Sequence, residues 1–133
     1  MSRASLLFLI LFLANCGFRR GDRVLIPAGF VGLARIEYEV PGAEILPMEN
    51  GRHIVRLDPK GRASTSIKRE VGYATDEYFY VDAAGERQAL QEQGVTDSVK
   101  DMIHSHRYVH DKPYVHEFCV GLRSAGCGTL SSP

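Results

Sequence analysis

Four of the chain's five histidines, His104, His106, His110 and His116, fall within thirteen positions, and they are the residues best able to do chemistry. Neutral imidazole suits zinc, copper or nickel, and Asp111 or Glu117 would complete a ligand set. Which histidines meet depends on the local element. On a strand His104 and His106 share a face, whereas on a helix His106 and His110 lie one turn apart. Arg107 and Lys112 oppose a bound cation, and the HExxH pattern of zinc peptidases does not occur. The plainer reading is a solvent-facing polar stretch with no cofactor, and zinc or copper is the alternative.

Other candidate groups point away from catalysis. Glu37 and Glu39 alternate with Ile36 and Tyr38, which puts both carboxylates on the wet face of a strand. Sugar hydrolysis would need a cleft around such a pair. Ser64, Thr65 and Ser66 lie in no Gly-x-Ser-x-Gly elbow, and no Gly-rich phosphate loop is present. Tyr78 and Tyr80 share a strand face. If that face is exposed, their aromatic area suits contact with a protein or a carbohydrate; otherwise it is core.

The elements that must position these groups are mostly strands. Residues 23–26 begin a β pattern, and Pro27, Gly29 and Gly32 punctuate the turn after it. From Ala34 the chain alternates, with Ala34, Ile36, Tyr38 and Val40 on one face and Arg35, Glu37 and Glu39 on the other. Residues 45–48 are a weak strand candidate, Asn50-Gly51 offers a hairpin turn, and residues 53–57 return as a strand. After the Asp58-Pro59-Lys60-Gly61 turn, residues 62–67 suit a polar edge strand. Residues 77–81 and 86–90 form a second hairpin pattern around Asp82 to Gly85. Between 94 and 110, Val95, Val99, Met102, Ile103 and His106 recur every three or four residues, which predicts a short amphipathic helix capped by Thr96 or Asp97. Residues 115–122 close the domain as a strand.

The start of the chain carries an address. Arg3 precedes nine apolar residues, 6–14, too few for a membrane span of about twenty. Leu13-Ala14-Asn15-Cys16 resembles the lipobox of bacterial lipoproteins, which implies that Cys16 is acylated and becomes the mature first residue. Removing residues 1–15 leaves 118, the size of one domain, with 15 basic and 16 acidic residues. Nucleic-acid binding through phosphates is disfavoured by that balance. Arg19, Arg20 and Arg23 are near enough to an anchor to touch lipid head groups, or are simply solvated. With Cys16 assigned to lipid, Cys119 and Cys127 remain as an even pair in an exported chain. Their disulfide would close a short loop worth roughly 2.5 kcal/mol in the chain-entropy model; two thiols or a metal pair are the alternatives.

The stretches Leu25-Ile26-Pro27-Ala28-Gly29-Phe30-Val31-Gly32, Ile36-Glu37-Tyr38, Asn50-Gly51-Arg52, Asp58-Pro59-Lys60-Gly61, Tyr78-Phe79-Tyr80-Val81-Asp82 and Phe118-Cys119-Val120-Gly121 together resemble a family of small exported bacterial proteins, often lipoproteins, that share one domain without established activity. A looser similarity links the Gly-aromatic-x-Gly turn to transthyretin-like and carboxypeptidase regulatory-like sandwiches. The expected organisation is a signal peptide over 1–15, a tether over 16–22, a small antiparallel β-sandwich with one short helix over 23–128, and a tail over 129–133. The expected role is binding or structural, not enzymatic, in a lipid-anchored protein of the bacterial cell envelope. Gly17 after the cysteine implies the outer membrane, facing the periplasm or the exterior, where the host has one.

Overall fold

The structure, a computed structural model, describes residues 20–69, 74–92, 102–121 and 127. Nine strands form in chain order: β1 (Arg23–Pro27), β2 (Gly32–Tyr38), β3 (Met48–Glu49), β4 (Arg52–Arg56), β5 (Arg62–Ser64), β6 (Glu77–Val81), β7 (Arg87–Glu92), β8 (Met102–Val109) and β9 (Tyr114–Gly121). They join in one sheet of order β3-β4-β1-β6-β7-β8-β9-β2-β5, curled into a half-barrel. Its concave face gathers Val24, Ile36, Val55, Tyr78, Ile103 and Phe118 into a continuous core. Burying alternate residues of every long strand against one another is what holds the curl closed.

This corrects the expected antiparallel sandwich. β1 pairs in parallel with both β4 and β6, β2 with β5, and β7 with β8, so the sheet is mixed and single. Side-chain alternation has the same period in parallel and antiparallel strands, so it leaves the partner of each strand open. Alternation itself holds: Ala34, Ile36 and Tyr38 of β2 are buried, while Arg35 and Glu37 point outward. Val40 lies beyond the strand, because Glu39 takes a positive φ of 59° that ends it. Asn50 and Gly51, both at positive φ, form the tight β3–β4 hairpin. The two edges are β3 and β5, two and three residues long, which leaves little unpaired backbone for another chain to copy.

The predicted helix over 94–110 is also overturned where it can be seen. Residues 102–109 are strand β8, paired antiparallel with β9, and no helix occurs among the described residues; the capping positions lie outside them. A β-bulge explains the misleading spacing. His104 pairs with Cys119 and Arg107 with Glu117, so three steps on β8 face two on β9, and Ser105 sits at φ 55°. The extra residue shifts the period by one and imitates a helical repeat of apolar positions.

Two features tie the ends of the domain. Gly21 passes so close to Thr75 that a Cβ would meet its carbonyl oxygen. Asp22, expected to end the tether, is instead buried, and its amide donates to Asp76 Oδ1 at 2.8 Å. At the other end Cys119 and Cys127 lie at disulfide distance, with Cα atoms 5.5 Å apart. Cys16 and the signal residues lie outside the described residues.

Candidate functional site

Polar groups converge at one mouth of the curl, where β1 and β6 begin, β2 and β7 end, and the β8–β9 hairpin turns back. Arg69, leading out of the segment after β5, is buried there and donates through Nη2 to Asp76 Oδ2 at 3.1 Å. Its guanidinium carbon lies 5.0 Å from the ring centre of Tyr108 and 5.6 Å from those of Tyr38 and Tyr114. A planar cation desolvated against three aromatic faces is held by both charge and packing. Tyr38 Oη donates to Asp22 Oδ2 at 2.6 Å, and His53 Nδ1 stands 3.8 Å from Asp22 Oδ1. Burial first, and then the Asp22 charge, push the Tyr38 hydroxyl well above its ordinary pKa, so it remains a donor.

Beside this chamber a cleft of about 380 Å³ opens where the paired strands β6 and β7 meet residues 75–76, lined by Thr75, Asp76, Tyr78, Leu90 and Glu92. The Tyr78 hydroxyl is buried and has no hydrogen-bond partner among the described residues. A buried donor left open costs roughly 1–3 kcal/mol, and Tyr78 bears that cost in the wall of the cleft. Small-molecule sites in β-barrels commonly lie in the mouth.

The structure divides the four histidines. His106 Nδ1 and His116 Nε2 approach to 3.0 Å, one donating to the other, with their rings stacked 5.3 Å apart and Tyr108 stacked on His116. His104, paired with Cys119, is turned to the other face of the sheet by the bulge, where its Nδ1 meets Ser105 Oγ at 2.9 Å. His110 packs edge-on against Tyr114 in the exposed β8–β9 turn, next to Asp111. Glu117 is buried and is held by Arg35 at 2.6 Å and, more distantly, Arg107 at 3.9 Å. Among the described residues no three metal-ligating side chains converge.

The remaining sequence candidates are corrected likewise. Tyr78 and Tyr80 do share a face, but it is the concave one: they are 2% and 7% exposed, and Tyr80 Oη donates to the Phe30 carbonyl at 2.7 Å. They therefore form no exposed aromatic surface. Glu37 is paired with Arg35 at 3.0 Å, whereas Glu39 lies past the strand end, so the two carboxylates are not presented together. Thr65 is buried and donates to the Glu44 carbonyl. Arg69, Asp76 and Asp22 were missed because nothing local marks them: each is a polar residue between strands, and only long-range pairing buries it.

Burial lowers the His106 pKa below 6.5; Arg69 and His104 add to the shift, and Asp76 opposes it. Glu92 Oε1, 3.9 Å from His106 Nε2, and the rings of Tyr78, Tyr108 and His116 complete its surroundings. The unfolded chain binds a proton near pH 6.5 that the folded imidazole resists. Stability is thus fully present above that pH and falls as pH drops below it, by at most about 1.4 kcal/mol per unit, until the folded ring itself is protonated. Burial raises the Glu92 carboxyl, an effect of opposite sign that acts in the carboxylate range nearer 4.5. Urea midpoints measured on either side of pH 6.5 should show the decline in the wild type and a shallower one in His106→Gln.

A half-barrel whose polar mouth is filled by a caged arginine and paired histidines, with the cleft beside it, defines a small β domain. The chain belongs to the Family of unknown function (DUF6843), whose model matches residues 19–127. It is similar in fold to a crystal structure of a Bacillus anthracis protein named "Putative Lipoprotein", with TM-score 0.54 and 24% identity over 86% of this chain and 81% of that one. No curated protein matches the sequence.

Proposed function

We propose that the chain is a bacterial cell-envelope lipoprotein, acylated on Cys16, whose β domain binds a partner or supports structure without catalysis. The observation that carries this reading is where the fold begins. Asp22 is already packed and hydrogen-bonded, so only a short stretch separates it from the lipobox-like Leu13-Ala14-Asn15-Cys16. The family match starting at residue 19 and the name of the Bacillus anthracis relative in fold support it. A cysteine carrying several acyl chains is held firmly, since each buried methylene contributes about 0.8 kcal/mol. Gly17 after the cysteine favours the outer membrane where one exists.

A binding role fits how the chamber is built. Its charged groups neutralise one another, Arg69 with Asp76, while Asp22 accepts from Tyr38. The cleft beside it, lined by Thr75, Asp76, Leu90 and Glu92, gives a protein side chain or a carbohydrate a place to dock. The close approach of His106 and His116 favours one second reading, a zinc or copper site with those two rings as ligands. Stoichiometric metal in purified protein, lost on replacing both histidines by alanine, would select it. For the anchor, cells fed labelled fatty acid should label the wild type and leave Cys16→Ser unlabelled. Continued incorporation in that variant overturns the assignment.

A further inference from the structure

The described chain starts against the β3–β4 hairpin. Arg20 Nη1 donates to the Asn50 carbonyl at 2.8 Å, and Arg52 of the same hairpin donates to the Gly21 carbonyl at 3.1 Å. At the start of the hairpin and just before it, Met48 and Ile45 are 61% and 79% exposed, the one large apolar pair of the described surface that lies within a few residues in sequence. Leu46 between them turns inward and packs on the core, so the segment is fixed rather than loose. Arg20 meets a backbone carbonyl there and pairs with no carboxylate among the described residues, which leaves its charge for an anionic surface.

Chain length then sets a limit. Three residues lie between Cys16 and Arg20, and the four steps from one to the other span at most about 14 Å when fully extended. Given the acylated cysteine proposed above, on which this step rests, the hairpin cannot stand far from the bilayer. We infer that the β3–β4 hairpin, with Ile45 and Met48 as its apolar contacts and Arg20 as its basic one, is the membrane-docking surface of the domain. Apolar side chains at such a surface enter the boundary between head groups and acyl chains, about 5–10 Å deep. The β6–β7 turn, at the opposite end of β1 and β6, is held away from lipid.

The test uses the full acylated chain in vesicles of phosphatidylethanolamine and phosphatidylglycerol containing brominated acyl chains. A polarity-sensitive fluorophore is placed in turn on Ile45→Cys, Met48→Cys and, as the distant control, Ala84→Cys, all exposed positions where the fold is not at stake. Bromolipid should quench most emission at 45 and 48 and leave that at 84 unchanged. Labelled fatty acid is counted in the same samples. If it is present but none of the three positions is quenched, or all are quenched equally, the docking surface is wrong and the anchor stands. If the wild-type chain carries no fatty acid, the anchor falls and this inference falls with it.

Discussion

Replacing Arg69 by alanine is expected to lower the unfolding free energy by about 3–5 kcal/mol, the usual cost of orphaning one member of a buried ion pair. Both side chains are nearly sealed, Arg69 at 7% and Asp76 at 6% exposure, so water does little to screen them. Without the guanidinium, the Asp76 carboxylate keeps the Asp22 amide as a donor but loses the charge that opposes its burial. Three tyrosine faces also lose their cation, at about 0.5–2 kcal/mol for each such contact. Arg69→Met with Asp76→Asn removes both charges together and should recover much of the loss, because an ion pair replaced as a unit leaves no stranded charge. Urea unfolding followed by circular dichroism measures this directly. A loss below about 1 kcal/mol for Arg69→Ala would place the pair in the class of solvent-screened surface bridges and undo the description of the chamber as sealed.

A surface network makes the contrast. Arg87, and then Arg23, pull the Glu49 carboxyl down to about 2, yet the group is exposed and its partners lie at the rim of the sheet. Its large shift reports charge density, and little stability is expected from it.

Much of the strand pattern was legible in the sequence because it is local. The alternation of Ala34, Ile36 and Tyr38, the Asn50-Gly51 turn and the aromatic run of β6 each follow from side-chain period or turn chemistry, and all three appear where expected. What was not legible depends on partners far away in the chain. That β1 lies between β4 and β6 is decided by the shape of the whole core, since Val24 and Ile26 would alternate identically beside any neighbour. The bulge at Ser105 was hidden for a related reason. A non-glycine residue at positive φ has no firm sequence signal, yet this one decides that His104 and His106 face opposite ways. Tyr78 and Tyr80 were placed on one face from sequence, but whether that face was wet required the curl that buries it.

The second large effect is expected at Phe118. Its ring is fully buried, edge-on to Tyr78 at 5.1 Å and tilted against His116 at 5.1 Å and His106 at 6.0 Å. Its partner across the β2–β9 ladder is Ala34, so a large side chain sits opposite a small one and fills the width of the core. Phe118→Ala would set two alanines opposite each other on a ladder whose backbone spacing is fixed, and the space could not collapse. A loss of about 3–5 kcal/mol follows for an unfilled aromatic cavity, with Phe118→Leu costing distinctly less because most of the volume remains. The cavity would adjoin the paired histidines, and water admitted there would relieve the burial that holds the His106 pKa down. The His106 ring, followed by NMR titration, should therefore titrate closer to 6.5 in Phe118→Ala than in the wild type. An unmoved His106 titration beside a full loss of stability would mean that the cavity stays dry, and that Arg69 and His104 rather than burial keep that imidazole neutral.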